Sequence, residues 1–387
     1  MHKSVSIDER HMQRALELAH AGVGLSSPNP CVGAVVVNAR EEMVGEGTHT
    51  FEGRKHAEVI ALEQAGAKAR CGTLYLNLEP CSHVGRTGPC ADAVIAAGVA
   101  RVCASMQDPN PLVGGKGFQK LRDAGIEVSV GLYEREARKL NEAFAKYIRT
   151  RQPLVTLKAA MTLDGKIAPP PGESEHPSAL GAATATRGWI TSEVARAHVH
   201  ELRHQSDAIV VGVGTVVADD PLLTDRSGRP RRRPLMRVVL DSRLRMPLAS
   251  RIVKTANNDV TVFCSFADEK KKQALEALGV CVQVVEFDKT SSRPDLATVL
   301  TRLGEREITS LMVEGGASVN WAALTAGVVD KVFLYYAPKI LGGTGAVPFA
   351  GGTGFRRMDE AVRVKNFELH RFGEDFAIEG YLKDPYC

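Results

Sequence analysis

In the stretch "KHAEVIALEQ" (55–64) an imidazole and a carboxylate, His56 and Glu58, stand two residues apart where a helix begins. Two thiols follow in "LEPCSHVGRTGPC": Cys81 where a strand-like run ends, and Cys90 just after Pro89 at the start of another helical run. Imidazole and thiolate are preferred donors for zinc, and a catalytic zinc keeps three protein ligands and leaves its fourth position to water. Helix N-termini favour the thiolate that the metal requires. Glu58 lies in the first turn after His56, so its carboxylate reaches the metal site without being a ligand, as a general acid and base must. Two other readings stay open: a closed structural site with His83 as fourth ligand, and cysteines that merely sit in the core.

These side chains need elements to hold them. Ser6 and Glu9 have capping-box spacing, and Met12, Ala15, Leu16 and Ala19 then share one helical face that Gly22 can close. "CVGAVVV" (31–37), "GTLYLNLE" (72–79) and "VARVCASM" read as strands, with helices at "HAEVIALEQAG" and "CADAVIAAG" between them. "GFQKLRDAGIEVSVGL" repeats helix then strand, and "EREARKLNEAFAKYIRT" reads as one amphipathic helix ending a domain. The alternation predicts an α/β layer structure. Near "RTRQPLV" the chain restarts, which places the boundary at 149/150 and gives domains 1–149 and 150–387. In the second half "PLVTLKAAM", "AIVVGVGTV", "MRVVLDS", "VTVFCS", "VCVQVVEF" and "SLMVEGG" read as strands and "SEVARAHVHELRHQ" and "DLATVLTRLGE" as helices. "DKVFLYYAPKI" and "EDFAIEGYLK" predict an antiparallel finish to a mixed sheet. "PPPGESEHPSALGAATATRG" (169–188) reads as a mobile loop.

Composition narrows the function classes. A chain of 387 residues, 44% hydrophobic and 24% charged, is long enough for two cores. A net charge of +4 argues neither for bulk nucleic-acid binding nor for an acidic membrane surface, and 5% aromatic content offers no stacking groove for a nucleic-acid-editing deaminase. The basic run "GRPRRRP" (228–234) reads as a solvated loop. No apolar run nears the roughly eighteen residues of a membrane span, and the start lacks a secretory layout, so a cytoplasmic protein is expected. In a reducing compartment the eight cysteines read as buried thiols and a few ligands. Oligomeric state stays open, a homo-oligomer being allowed.

H-x-E with P-C-x-x-C marks zinc deaminases, but here eight residues, "SHVGRTGP", separate the cysteines. With that gap and a basic residue inside it, "PNPCVGAVVV", "GEGTH", "HAEVIAL", "EPCSHVGRTGPC" and "MQDPNPLVGGKG" resemble the deaminase half of the bifunctional deaminase/reductase family of riboflavin biosynthesis. The resemblance implies a cytidine-deaminase-like three-layer α/β/α sandwich, His56, Cys81 and Cys90 as zinc ligands, and Glu58 as proton shuttle. It further implies that Asn29, His49, His83, Arg86, Asp108 and Asn110 line the substrate pocket. On their own, His49 and His83 also fit surface histidines, and Asp108 and Asn110 also fit turn residues beside Pro109 and Pro111.

In "VVGVGTVVADDP", Gly212 and Gly214 are followed by Val217 where a third glycine would stand, and no helix start is evident, so a Rossmann reading is weak. "LMVEGGASVNWAAL" is a strand running through Gly315 and Gly316 into a helix, which suits a phosphate at the helix N-terminus or a simple turn. With "LKAAMTLDGKIA", "WITSEVARAHVHELRHQSDAIVVGVGTVVADDPLLTDR", "RVVLDSRLR" and "DKVFLYYAPKILGG" it resembles the reductase half of the same family, whose fold is similar to dihydrofolate reductase. The resemblance implies NADPH held by Ala160, Trp189, Thr215, Asp219, Ser242 and the turn Gly316, Ala317, Ser318, Val319, Asn320, Trp321 and Ala322. Arg203, Leu223, Arg226 and Glu314 would face the substrate, the arginines suiting its phosphate. Trp189 could equally be core and Arg226 solvated. The family's G-[ED]-S-x-W pattern is interrupted here, leaving open whether Ser174 or Arg187 touches substrate. The implied substrates are small pyrimidine ribosyl phosphates. One domain would hydrolytically deaminate the diaminopyrimidinone, and the other would reduce the ribosyl group of the resulting uracil.

Overall fold

The computed structural model describes residues 6–82, 88–170, 188–288 and 291–387, and the chain divides into two compact units. The first comprises 1–151 with 230–233 and Tyr386; the second comprises 152–229, 234–385 and Cys387. His83, Arg86, Ser174 and Arg187 lie outside the described residues.

The first unit runs α1 (Ile7–Ala21), β1 (Gly33–Val37), β2 (Met43–Thr48), α2 (Ala57–Ala65), β3 (Thr73–Leu76), α3 (Cys90–Ala97), β4 (Arg101–Ala104), α4 (Lys116–Asp123), β5 (Glu127–Val130), α5 (Glu134–Leu140) and α6 (Glu142–Thr150). Its sheet has the order β2-β1-β3-β4-β5, with β1 antiparallel to both neighbours and β3, β4 and β5 parallel. Strand alternation feeds both faces. Ala34, Val36, Leu74 and Leu76 join α2 and α3 in one core, while Val35, Val37 and Tyr75 meet Met12 and Ala15 of α1 on the other. This is the three-layer α/β/α arrangement. The Ser6–Glu9 capping box closes at the start of α1. Two glycines of β2 set the position of α2, because a Cβ on Gly45 or Gly47 would stand 2.1 Å from Ala61 O or 2.2 Å from Ala57 O. The helix therefore lies directly on the strand backbone.

Two expectations need correcting. The single helix over 134–150 is broken at Asn141, whose Oδ1 accepts from Cys31 N–H (2.8 Å) and whose Nδ2 donates to Cys31 O (3.1 Å). A tertiary contact has outweighed helical periodicity. The basic run is not a solvated loop either. Residues 230–233 belong to the first unit, where the Arg232 guanidinium stands 3.3 Å over the Phe51 ring and Arg233 Nη2 donates to Ser27 Oγ (3.2 Å).

The second unit runs β6 (Leu154–Thr162), β7 (Lys166–Ala168), α7 (Glu193–Gln205), β8 (Ala208–Gly212), α8 (Val213–Asp219), β9 (Met236–Leu240), α9 (Arg251–Lys254), β10 (Val260–Cys264), α10 (Glu269–Glu276), β11 (Val280–Val284), α11 (Leu296–Glu305), β12 (Ser310–Val313), α12 (Ala317–Thr325), β13 (Lys331–Ala337), β14 (Val347–Pro348), β15 (Lys365–Phe372) and β16 (Asp375–Tyr381). The large sheet has the order β11-β10-β9-β8-β12-β6-β13-β16-β15; it is parallel through β13 and closes with antiparallel β16 and β15. This is the mixed sheet expected. Its central strands are apolar throughout because both faces are covered: Ile209 and Val211 of β8 join one core, Ala208 and Val210 the other. Contrary to expectation, a helix does start after Gly212. Burial of Val213 and Val216 on one face of α8 overrides the low helix propensity of valine.

The largest fully buried side chain is Arg237 on β9. It is bound through Nε and Nη2 to both Asp259 oxygens (2.9 Å each) and through Nη1 and Nη2 to Leu222 O, Thr255 Oγ1 and Thr255 O. Arg237→Ala leaves Asp259 uncompensated and a cavity behind it. A loss of about 3–5 kcal/mol is expected, read as a thermal midpoint of the second unit lowered by roughly 10 °C.

Candidate active sites

His56 is the N-cap of α2, in extended conformation and with no capping hydrogen bond of its own, so its ring is free to face the cysteines. Cys90 is the first residue of α3, and Cys81 follows the end of β3. The ligand atoms of His56, Cys81 and Cys90 lie within 4.8 Å of one another. His56 Nδ1 is 3.0 Å from Cys90 Sγ and 3.6 Å from Cys81 Sγ, and Cys90 N–H points at Cys81 Sγ (3.3 Å). The hydrogen bond from Cys90 pulls Cys81 down to about 4 and pushes Cys90 up. The hydrogen bond to Cys81 also raises His56. One imidazole and two sulfurs, one already disposed to be thiolate, fit zinc.

Glu58 is buried at the foot of this cluster, and its Oε2 has no hydrogen-bond partner among the described residues. Desolvation raises its pKa, partly opposed by His56. An unpartnered carboxylate oxygen beside a metal site is free to take up and return a proton. His49 stands edge-on to His56, with centroids 5.2 Å apart. Its Nδ1 lies 2.9 Å from Lys55 O, which requires an N–H, and its Nε2 is thereby left to accept from Asn29 Nδ2 (3.1 Å). Burial lowers His49, favouring that neutral tautomer. Asn29 and His49 thus form one polar unit beside His56, and His49, being buried, is not a surface histidine. Asp108 and Asn110 are engaged in their own loop: Asp108 Oδ1 accepts from Asn110 N–H (2.8 Å) and Asn110 Oδ1 from Leu112 N–H (3.0 Å).

The second site gathers at the carboxyl ends of β6, β8 and β12, which are adjacent in the sheet. Gly316 caps α12 without a side-chain hydrogen bond, leaving the first amides of the helix open to an anion. A Cβ on Gly315 would stand 2.5 Å from Val319 Cβ, and one on Gly316 would lie 3.7 Å from Thr215 Oγ1. Thr215, Gly316, Ala317 and Ser318 are therefore neighbours, in a cradle that fits a cofactor phosphate. The remainder of that run diverges. Asn320 is buried and donates to Phe349 O (2.8 Å), and Trp321 packs on Gly352 and Phe355. Ser242 follows β9, its carbonyl held by Ser265 and Phe266 N–H groups. Asp219 is exposed in the last turn of α8. Trp189 is not core: it is 56% exposed under the Arg196 guanidinium.

Ala160 is half-buried on β6, packed against the cluster of Phe333 and Tyr335 and two residues from Lys158, whose ammonium lies 3.8 Å from Glu314 Oε2. Arg203 Nε and Nη2 grip both Glu314 oxygens (2.9 Å each) while Nη1 donates to Thr224 O (3.0 Å). Burial alone would raise Glu314, but Lys158 and Arg203 reverse this and push it down to about 2. Desolvation lowers Lys158 and works against Arg203, which Glu314 nevertheless raises. The fork of Arg203 is thus spent on Glu314 rather than open to a phosphate. Arg226, by contrast, is exposed and held only loosely to Thr224 Oγ1 (3.5 Å). Leu223 is buried in the core with φ at +55°. Sequence reading missed Lys158, though a lysine in the apolar run "PLVTLKAAM" was a signal.

A model of the cytidine and deoxycytidylate deaminase zinc-binding region matches residues 5–106, and a model of the RibD C-terminal domain matches residues 153–378. The riboflavin biosynthesis protein RibD of Actinobacillus pleuropneumoniae is 42% identical over 98% of this chain and 96% of its own length. The chain belongs to the RibD family. The Escherichia coli K12 RibD protein is 41% identical over 96% of the chain and 98% of its own. Among solved structures, Acinetobacter baumannii RibD superposes with a TM-score of 0.81 at 37% identity, covering 98% of this chain and 99% of that one. A Thermotoga maritima deaminase/reductase gives 0.77 at 35% identity over 97% and 98%.

RibD proteins are bifunctional enzymes of riboflavin biosynthesis, and this chain accordingly carries a zinc-dependent deaminase domain and an NADPH-dependent reductase domain. No helix among the described residues is long and apolar enough to cross a membrane. Elemental analysis should find one zinc per chain. Cys90→Ser should lose it, and acidification should release it, because protons compete with the metal for both thiolates.

Proposed function

We propose that the first unit hydrolytically deaminates 2,5-diamino-6-(5-phosphoribosylamino)pyrimidin-4(3H)-one and that the second reduces the resulting 5-amino-6-(5-phosphoribosylamino)uracil to the ribityl product with NADPH. The observation that carries the first step is the convergence of His56, Cys81 and Cys90 beside the unpartnered Oε2 of Glu58. Support for these substrates comes from the Thermotoga relative, described as a diaminohydroxyphosphoribosylaminopyrimidine deaminase and 5-amino-6-(5-phosphoribosylamino)uracil reductase.

When bound, zinc supplies Lewis acidity at the site of water attack. Glu58 accepts the proton that the attacking water gives up as the C2–O bond forms, and returns it to the exocyclic nitrogen as the C2–N bond breaks and ammonia leaves. Its raised pKa suits a group that must hold that proton between the two transfers. Asn29 and the neutral His49 orient the ring.

In the second step NADPH supplies the hydride to C1'. Lys158 Nζ holds the proton that the ribosyl oxygen needs as its bond to C1' opens. Glu314 keeps that ammonium in place and Arg203 fixes Glu314, while Arg226 takes the substrate phosphate. We place the enzyme in the cytoplasm, where free cysteine ligands persist. Its partners are small pyrimidine phosphates, with no nucleic acid or membrane partner, and a homo-oligomer is allowed.

Two measurements test this. Glu58→Gln should retain zinc and lower deamination by about 100- to 10,000-fold, while reduction of supplied intermediate continues at the unmodified rate. Collapse of both activities in a folded, zinc-loaded variant would replace the two-site reading with one shared site. For the reductase, the active form of Lys158 is protonated and its folded pKa is lowered from 10.5, so activity should fall as pH rises through a value below 10.5. Lys158→Met should lose roughly 100-fold or more in kcat while still binding NADPH; a variant as fast as the unmodified enzyme would refute the assignment.

A further inference from the structure

Glu79 is buried, 3% exposed, two residues before the ligand Cys81, and no cation is paired with it among the described residues. Its charge is met by four backbone amides instead. Oε2 accepts from Asp108 N–H (3.1 Å) and Gly115 N–H (2.8 Å), and Oε1 accepts from Gly117 N–H (2.8 Å) and Phe118 N–H (3.2 Å). The last two are first-turn amides of α4, whose N-cap Gly115 has no side-chain hydrogen bond. One carboxylate therefore caps α4 from another element and complements its dipole. It also anchors the start of the loop 108–118 at Asp108. Close approach is obligatory there, because a Cβ on Gly117 would stand 2.1 Å from Pro80 O.

We infer that Glu79 is a positioning residue for deamination, fixing the loop that carries Asp108 and Asn110 against the segment that carries Cys81. This rests on the assignment of Asp108 and Asn110 to the substrate pocket. Because the same five-residue stretch, 77–81, presents a metal ligand and anchors the substrate loop, the spacing between metal and bound pyrimidine is set through Glu79. Glutamine at this position would turn an N–H₂ group toward amides that are themselves donors, so two of the four loop amides lose their acceptor and the loop moves away.

The test is steady-state deamination by full-length, zinc-loaded Glu79→Gln beside the unmodified enzyme, with zinc content and reductase activity measured on the same preparations. The expected result is a KM for the pyrimidine phosphate raised on the order of 10- to 100-fold, a smaller change in kcat, full zinc and unchanged reduction. Gly117→Ala, whose Cβ would press on Pro80 O (2.1 Å) and on Glu79 Oε1 (3.0 Å) while leaving the carboxylate itself in place, should reproduce the KM increase. An unchanged KM in both variants overturns the proposal. So does loss of zinc with a kcat defect at normal KM, which would make Glu79 a support of the metal rather than of substrate. If Glu79→Gln does not fold, as judged by its reductase activity, Gly117→Ala alone decides. Failure of the unmodified enzyme to deaminate the pyrimidine would instead refute the function proposed above.

Discussion

A carboxylate taken out of water must be compensated or it will hold a proton. Glu79, Glu314 and Glu58 meet this constraint in three ways, and each solution determines what the residue can do. Glu79 accepts from four amides of a neighbouring loop, which makes it a structural anchor. Glu314 lies between the guanidinium of Arg203 and the ammonium of Lys158, so it stays ionised and transmits geometry between them. Glu58 has an oxygen with no partner, and its affinity for a proton is raised accordingly. The incompletely compensated carboxylate is the one suited to move protons.

The sheets explain where these groups can meet. In the first unit β3 and β4 are parallel neighbours, so the segment after β3, with Glu79 and Cys81, emerges beside the segment after β4, with Asp108 and Asn110. The first turns of α2 and α3 supply His56, Glu58 and Cys90. In the second unit the carboxyl ends of β8, β12 and β6 are consecutive in the sheet, and glycines there let α12 close over the strand ends. Crevices at the carboxyl ends of parallel strands are where α/β sheets bind ligands.

What was legible in the sequence was what local rules govern. The helix starts at His56 and Cys90 are announced by apolar periodicity and by Pro89, so the zinc donors could be grouped before any coordinates. Features decided by contacts distant in sequence were not. The break at Asn141 depends on Cys31, 110 residues earlier, and α8 depends on the burial of two valines that look like strand residues. Leu223 illustrates a third case: family resemblance selected the position, but neither its burial nor its φ of +55° has a sequence signature. Lys158 and Glu79 fall between these cases. Each is a charged residue in or beside an apolar strand run, visible as an anomaly but silent about its partner.

The cost of the deaminase site falls on a part of the fold that can absorb it. An unsatisfied buried oxygen such as Glu58 Oε2, without a partner among the described residues, costs about 1–3 kcal/mol. Zinc held by His56, Cys81 and Cys90 would offset that penalty, because the free energy of metal binding counts toward the folded state. His56, Cys81 and Cys90 begin or precede α2 and α3, which pack against each other in the same core as β1 and β3. The ion therefore ties together the elements on which the reactive carboxylate depends. Stability of the first unit and its chemistry draw on one set of ligands, whereas in the second unit Glu314 is held by Arg203 and Lys158.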